Sequence, residues 1–116
     1  MKVYIGEVRG TFRYQVRVRD GGESYFLEPR HDLRNHSPDG FSWGFGGSGP
    51  AQLALAMLAD ITQDDEFAQR HYQDWKREYV ANLDIDGDWR LVVNGGDPLS
   101  MFLARVSRAI GVEARP

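Results

Sequence analysis

The sequence has no cysteine, and that absence removes disulfides, thiolate metal sites and cysteine nucleophiles together. It also lacks a long apolar run. The longest, Leu53–Ala59, is far too short to span a bilayer. The opening stretch MKVYIGEVRG is charged and strand-like, without the apolar segment of a secretory leader, so a cytosolic location is the expectation. Neither sign of charge dominates: 14 basic residues stand against 17 acidic ones, a net of −3, which argues against a dedicated nucleic-acid binder. What remains, 41% hydrophobic and 27% charged residues over 116 positions, is the composition of one globular domain with a single modest core.

Hydrophobic periodicity divides the chain into strands and helices. Residues 2–8 and 11–19 read as strands; in the second, Phe12, Tyr14, Val16 and Val18 alternate with Arg13, Gln15, Arg17 and Arg19. Asp20-Gly21-Gly22 is a turn signal, and 24–27 closes a hairpin. Gly49 as N-cap and Pro50 at the first helical position predict a helix over about 50–61, with only Gln52 and Asp60 polar and therefore buried on all sides. A second helix is expected over about 64–82, capped by Thr62, with Ala68, Tyr72, Trp75, Tyr79 and Leu83 as its apolar stripe. The short connection makes these two an antiparallel helical hairpin. Residues 84–88 read as a turn, 89–93 as a strand and Asn94-Gly95-Gly96 as another turn. Asp97 then caps a last helix that starts at Pro98, buries Leu99, Phe102, Leu103, Val106 and Ile110, and ends before Gly111. The expected architecture is α+β: a small antiparallel sheet, made of the N-terminal hairpin and a C-terminal strand, packed on three helices. Leu53, Leu55, Met57, Leu58, Trp75, Tyr79, Phe102 and Val106 are its expected core.

The segment 31–49 stands apart. It holds two histidines, an arginine, an asparagine, three aromatics and five glycines, and it runs directly into the apolar helix. A helix N-terminus carries unpaired N–H groups and a partial positive charge, so a glycine-rich loop delivered onto one can hold a phosphate or carboxylate. Arg34, Asn35, His36, Trp43, Gly46, Gly47, Ser48 and Gly49 are the candidate binding residues. The loop is not that of a nucleotide hydrolase, because no Gly-Lys-[Ser/Thr] follows, and it is not a nucleophile elbow, because Pro50 stands where that motif needs glycine. His, Ser and Asp together invite a hydrolase reading, with Arg34 pairing Asp32 or a ligand anion. The alternative is that Asn35, His36 and Ser37 satisfy the backbone of a long buried loop. Pro38-Asp39-Gly40 reads as a tight turn. Phe41, Trp43 and Phe45 share one face if extended, which suits core packing better than a stacking platform. Arg13, Arg17 and Arg19, joined by Arg9, form the best basic patch, either a solvated sheet face or a surface for an acidic partner. Asp84–Asp88 imitates a calcium loop but fails at its sixth and twelfth positions, Trp89 and Gly95. His31, His36 and His71 have no metal-ligand spacing, so neither metal nor cofactor is expected.

The run LRNHSPDGFSWGFGGSGPAQLALAMLAD, 33–60, resembles the signature of a family of small uncharacterised proteins carried by bacteriophages, plasmids and other mobile elements. Its pattern is an LRNHSP segment, an aromatic-WG-x-GGSGPAQLALA segment and a helix with a YQ-x-[FW]-K element, here Tyr72-Gln73-Asp74-Trp75-Lys76. The likeness covers roughly 29–83. It implies a mobile-element origin and a shared core, and it brings no catalytic residues. The leading expectation is a non-enzymatic binding protein, counter-defence or host-modulating, acting in the host cytosol. It would recognise a host protein or a small anionic or nucleotide ligand through the 31–50 loop and the helix N-terminus. Two alternatives accompany it: a small enzyme acting on a phosphorylated or nucleotide-like substrate with His, Ser and Arg of the same loop, and a structural or dimerisation factor.

Overall fold

A computed structural model describes residues 1–9, 14–93 and 98–109, the last three of these by backbone alone. Strands β1 (Lys2–Val8), β2 (Tyr14–Asp20), β3 (Glu23–Phe26) and β4 (Trp89–Val93) form one antiparallel sheet in the order β3-β2-β1-β4. Helices α1 (Ser48–Thr62), α2 (Asp65–Glu78) and α3 (Pro98–Ala109) complete an α+β fold, with a 3₁₀ turn at Val80–Asn82. The N-terminal hairpin and the C-terminal strand thus pair as the alternation and turn signals predict.

The β2 alternation has a direct physical outcome. Val16 and Val18 are buried, whereas Arg17 and Arg19 sit on the opposite face. The start of that strand, including Phe12 and Arg13, lies outside the described residues, as do the Asn94–Asp97 turn and cap, Ile110 and Gly111. At the hairpin tip Gly21 takes φ 63°, a region glycine enters without steric cost. On β1, Gly6 faces Trp89 across the ladder, and a Cβ there would lie 2.1 Å from the indole Nε1. Glycine lets the indole lie directly against the strand.

Helix α1 is the centre of the molecule: every residue from Pro50 to Ala59 is buried. It starts earlier than the Gly49-Pro50 signal indicates. Gly47 is the N-cap, Ala51 N–H donates the first helical bond to Gly47 O at 3.1 Å, and Pro50 sits at the third helical position. Proline is tolerated there because first-turn N–H groups have no intrahelical acceptor. The far end also differs from expectation. Gln63 ends α1 in the left-handed region at φ 53°, so Asp64, not Thr62, caps α2 by accepting from Phe67 N–H at 3.0 Å. The Thr62 hydroxyl instead donates back to Leu58 O at 2.6 Å. Helix α2 stops at Glu78, and Tyr79 and Leu83 are half-buried beyond it. Helices α1 and α2 pack along each other as a hairpin. Leu53, Leu55, Met57, Leu58, Trp75 and Phe102 are buried as expected, while Tyr79 and Val106 are only partly covered. No helix among the described residues is long and apolar enough to cross a membrane.

Candidate functional site

The glycine-rich segment before α1 is stapled to the fold at separate points, and the staples decide what it can present. The first is Gln52, the lone polar residue in the buried part of α1 and itself fully buried. Its Oε1 accepts from His36 N–H at 2.8 Å and from Ser37 N–H at 3.2 Å. Its Nε2 donates to Pro29 O at 2.5 Å and to Arg34 O at 3.0 Å. One amide therefore answers four backbone groups of a segment that has no sheet or helix partner. The second staple is Arg30, which takes φ 59° and spans two carboxylates, Asp32 at 3.0 Å and Asp65 at 2.8 Å. Asp32 thus pairs with Arg30 rather than with Arg34. Its carboxyl is held below the usual carboxylate range, first by the hydrogen bond from Arg30.

Two further anchors hold the second half of the loop. Trp43 is fully buried, edge-on to Tyr14 and Trp89, with its Nε1 donating to Gly87 O at 3.1 Å. Gly44 turns at φ 87° beneath Ile85, whose backbone would lie 2.6 Å from a Cβ, and its N–H donates to Val80 O at 3.0 Å. Trp43 is consequently part of the core and presents no face to solvent. Phe41 is half-buried, whereas Phe45 is exposed, so the three aromatics do not share one face. The expected turn at 37–40 is present, closed by Gly40 N–H to Ser37 O at 3.2 Å.

Besides His31, Asp32 and the Pro38-Asp39 turn, two short arcs of the candidate residues remain at the surface. Arg34 and Asn35 are exposed, with His36 half-buried beside them, and Phe45, Gly46 and Ser48 are exposed around the half-buried Gly47 and Gly49. Both arcs rest on α2. His36 Nε2 bonds the Tyr72 hydroxyl at 2.7 Å, and Lys76 Nζ donates to Gly46 O at 3.4 Å. Tyr72 and Lys76 are one helical turn apart, so the two arcs contact neighbouring positions on one face of that helix. The α1 terminus has no side-chain cap, and Pro50 carries no N–H, which leaves Ser48 and Gly49 N–H as first-turn donors without an acceptor among the described residues. The glycines play different parts. A Cβ on Gly49 would lie 1.9 Å from Ser42 Oγ and 3.0 Å from Ser42 N, so Gly49 serves close packing. On Gly47 it would meet only the exposed Phe45 ring, at 2.4 Å, and on Gly46 nothing within 4 Å.

The histidines are not joined to Ser48. His36 Nε2 is engaged by Tyr72 and His31 Nε2 by Ser37 O at 2.8 Å, so neither forms a nucleophile–base pair with Ser48 through that nitrogen. On the basic strand, Arg17 pairs with Glu7 at 3.5 Å and lies 5.7 Å over the Phe26 ring. Arg9 also pairs with Glu7, Arg19 is exposed, and Arg13 lies outside the described residues. No group of three or more potential metal ligands occurs among the described residues.

Sequence reasoning missed Lys76 and Tyr72 as neighbours of the loop. The signal was their spacing of four on one helix face. It registered Gln52 only as an exception in an apolar helix. A groove of about 910 Å³ between β3 and the α1–α2 junction was also missed, since residues 25–30 and 56–65 come together only in the fold.

A small α+β domain with a glycine loop clamped over a buried helix is thus the class of protein in hand. Residues 4–95 match the family of unknown function DUF6166, and the chain belongs to that family. No curated protein and no solved structure matches it.

Proposed function

We propose that this protein is a non-enzymatic binding module that recognises an anionic group, phosphate or carboxylate, at the face formed by Arg34–His36, Gly46–Gly49 and Lys76. The observation that carries this reading is the approach of Lys76 Nζ to Gly46 O beside the uncapped start of α1. It sets an ammonium next to the positive end of a helix dipole and two N–H donors without an acceptor among the described residues. The clamp by Gln52 supports the same reading, because a site on a loop needs a rigid frame beneath it. The enzyme alternative loses support from the hydrogen bonding of both histidines away from Ser48. On the resemblance of residues 33–60 alone, we further propose a mobile-element origin and a counter-defence or host-modulating role in the host cytosol, where the anion belongs to a small ligand or to a host protein.

Calorimetric titration with inorganic phosphate and with AMP tests the site. Saturable binding is expected, weakened about tenfold by Lys76→Glu and little changed by Ser48→Ala, with melting unaltered in both variants. Gly47→Ala, whose nearest Cβ neighbour is the exposed Phe45 ring, weakens binding without unfolding the chain. Absence of binding to either anion, or equal binding by Lys76→Glu, refutes the assignment.

A further inference from the structure

A groove of about 910 Å³ runs beside β3, an edge strand whose four residues are all exposed. Its β2 ladder defines which backbone groups are free. Leu27 N–H donates to Val16 O at 2.9 Å, and pairing continues Tyr25↔Val18 and Glu23↔Asp20. Hydrogen-bonded pairs alternate in an antiparallel ladder, so the N–H and C=O groups of Ser24 and Phe26 point away from the sheet. The opposite wall is the end of α1 and the start of α2, at Asp60, Thr62, Gln63, Asp64 and Asp65.

On the helix-facing side of this edge the charge left over is acidic, while Arg19, opposite Ser24, is exposed on the other face of the sheet. Lys2 binds Asp60 at 3.0 Å, and Arg30 binds Asp65. Glu23 at the start of the strand, Glu28 just past it and Asp64 on the far wall have no cationic partner among the described residues. Tyr25 faces the helices, its hydroxyl 2.8 Å from Asp60 Oδ2, and so floors the groove with an aromatic ring.

We infer that β3 and this groove dock an extended, basic segment of a partner protein, which adds to the sheet as a fifth strand. Outward groups of Ser24 and Phe26 supply the backbone bonds. Alternate side chains of the added strand, about 7 Å apart, project over the groove, where lysine or arginine meets Glu28 and Asp64. A second copy of this chain fits poorly, because it would bring the same unpaired carboxylates, Glu23, Glu28 and Asp64, against an edge of like charge. The groove shares no residue with the Lys76 face, so the two readings stand or fall separately.

The probe is a capped Thr-Lys-Val-Lys-Val-Lys-Thr peptide titrated into the full chain at low salt, with the three lysines replaced by glutamate as control. Amide shifts are expected at Ser24 and Phe26 and across residues 60–65. The basic peptide should bind at least about tenfold tighter than the acidic one and weaken as salt rises. Ser24→Pro removes an outward N–H without touching the β2 bonds, and Glu28→Lys reverses one charge; each should reduce affinity about tenfold at unchanged melting temperature. If Ser24→Pro fails to fold, a peptide N-methylated on alternate residues makes the same test from the partner's side. Equal binding of both peptides, shifts that map elsewhere, no binding, or a dimer closed through β3 overturns the inference.

Discussion

Replacing Gln52 with leucine puts an apolar side chain of similar size in α1 and deletes one amide. Four backbone groups then lose their partner: His36 N–H, Ser37 N–H, Pro29 O and Arg34 O. At a net ~1 kcal/mol per hydrogen bond the loss is ~4 kcal/mol. Burying a leucine offsets ~1.5–2 kcal/mol of it, because the site is already dry. The expected destabilisation is therefore about 2–2.5 kcal/mol, a fall in melting temperature on the order of 10 °C for a chain of this size. It should be concentrated in the loop: amide exchange at His36 and Ser37 accelerates far more than exchange in β1 or β2. Gln52→Glu sharpens the test. The carboxylate keeps the acceptor but sets a second oxygen against the carbonyls of Pro29 and Arg34. Burial and those dipoles raise its folded-state pKa above the ordinary ~4.3, so stability is greatest below that pH and is lost as pH rises. Urea denaturation with hydrogen exchange reads both variants. A loss under about 0.5 kcal/mol for Gln52→Leu, with His36 and Ser37 still protected, refutes the clamp.

Three more expectations follow from packing and charge. Leu58→Ala, at a fully buried position of α1, should cost about 2–5 kcal/mol by urea denaturation, and a loss below about 1 kcal/mol would make α1 peripheral. Gly49→Ala should cost about 1–3 kcal/mol because its Cβ collides with Ser42, while Gly46→Ala stays within about 0.5 kcal/mol of the parent; equal melting of the two variants contradicts this. Tyr4 is buried and hydrogen-bonded to the Asp60 carboxylate, and both effects, burial first, hold its hydroxyl pKa far above the ordinary tyrosine value. Unfolded tyrosine loses its proton near about pH 10 and folded Tyr4 does not, so stability is full below that pH and falls above it. Tyr4→Phe should blunt this alkaline loss, and parallel melting curves for the two proteins above about pH 10 would rule the reasoning out.

Much of the frame was legible because local pattern and tertiary demand agree. The β2 alternation, the Trp89–Val93 strand and the Pro98 start of α3 are where periodicity and proline put them. The start of α1 was misread by two residues because the glycines around Ser48 impose no preference and the Pro50 signal prevailed. Thr62 lost the α2 cap because Gln63 turns left-handed and delivers Asp64 to the position. Side-chain partners were harder. Asp32 could pair with Arg30 or Arg34 by proximity alone, and only the fold brings Asp65 within reach of Arg30 to settle the choice. The Gln52 clamp, the Lys76 approach and the β3 groove all join residues far apart in the chain; the spacing of Tyr72 and Lys76 puts them on one helix face without saying which segment that face meets.

The central functional claim is that the start of α1 beside Lys76 takes an anion. The most direct measurement is the amide resonances of Ser48 and Gly49 as inorganic phosphate is added to the wild-type chain and to Lys76→Glu. Both amides should move together, saturate with one dissociation constant in the wild type, and need about tenfold more phosphate to move in the variant. Amides that do not respond, or that respond equally without the lysine, contradict the claim.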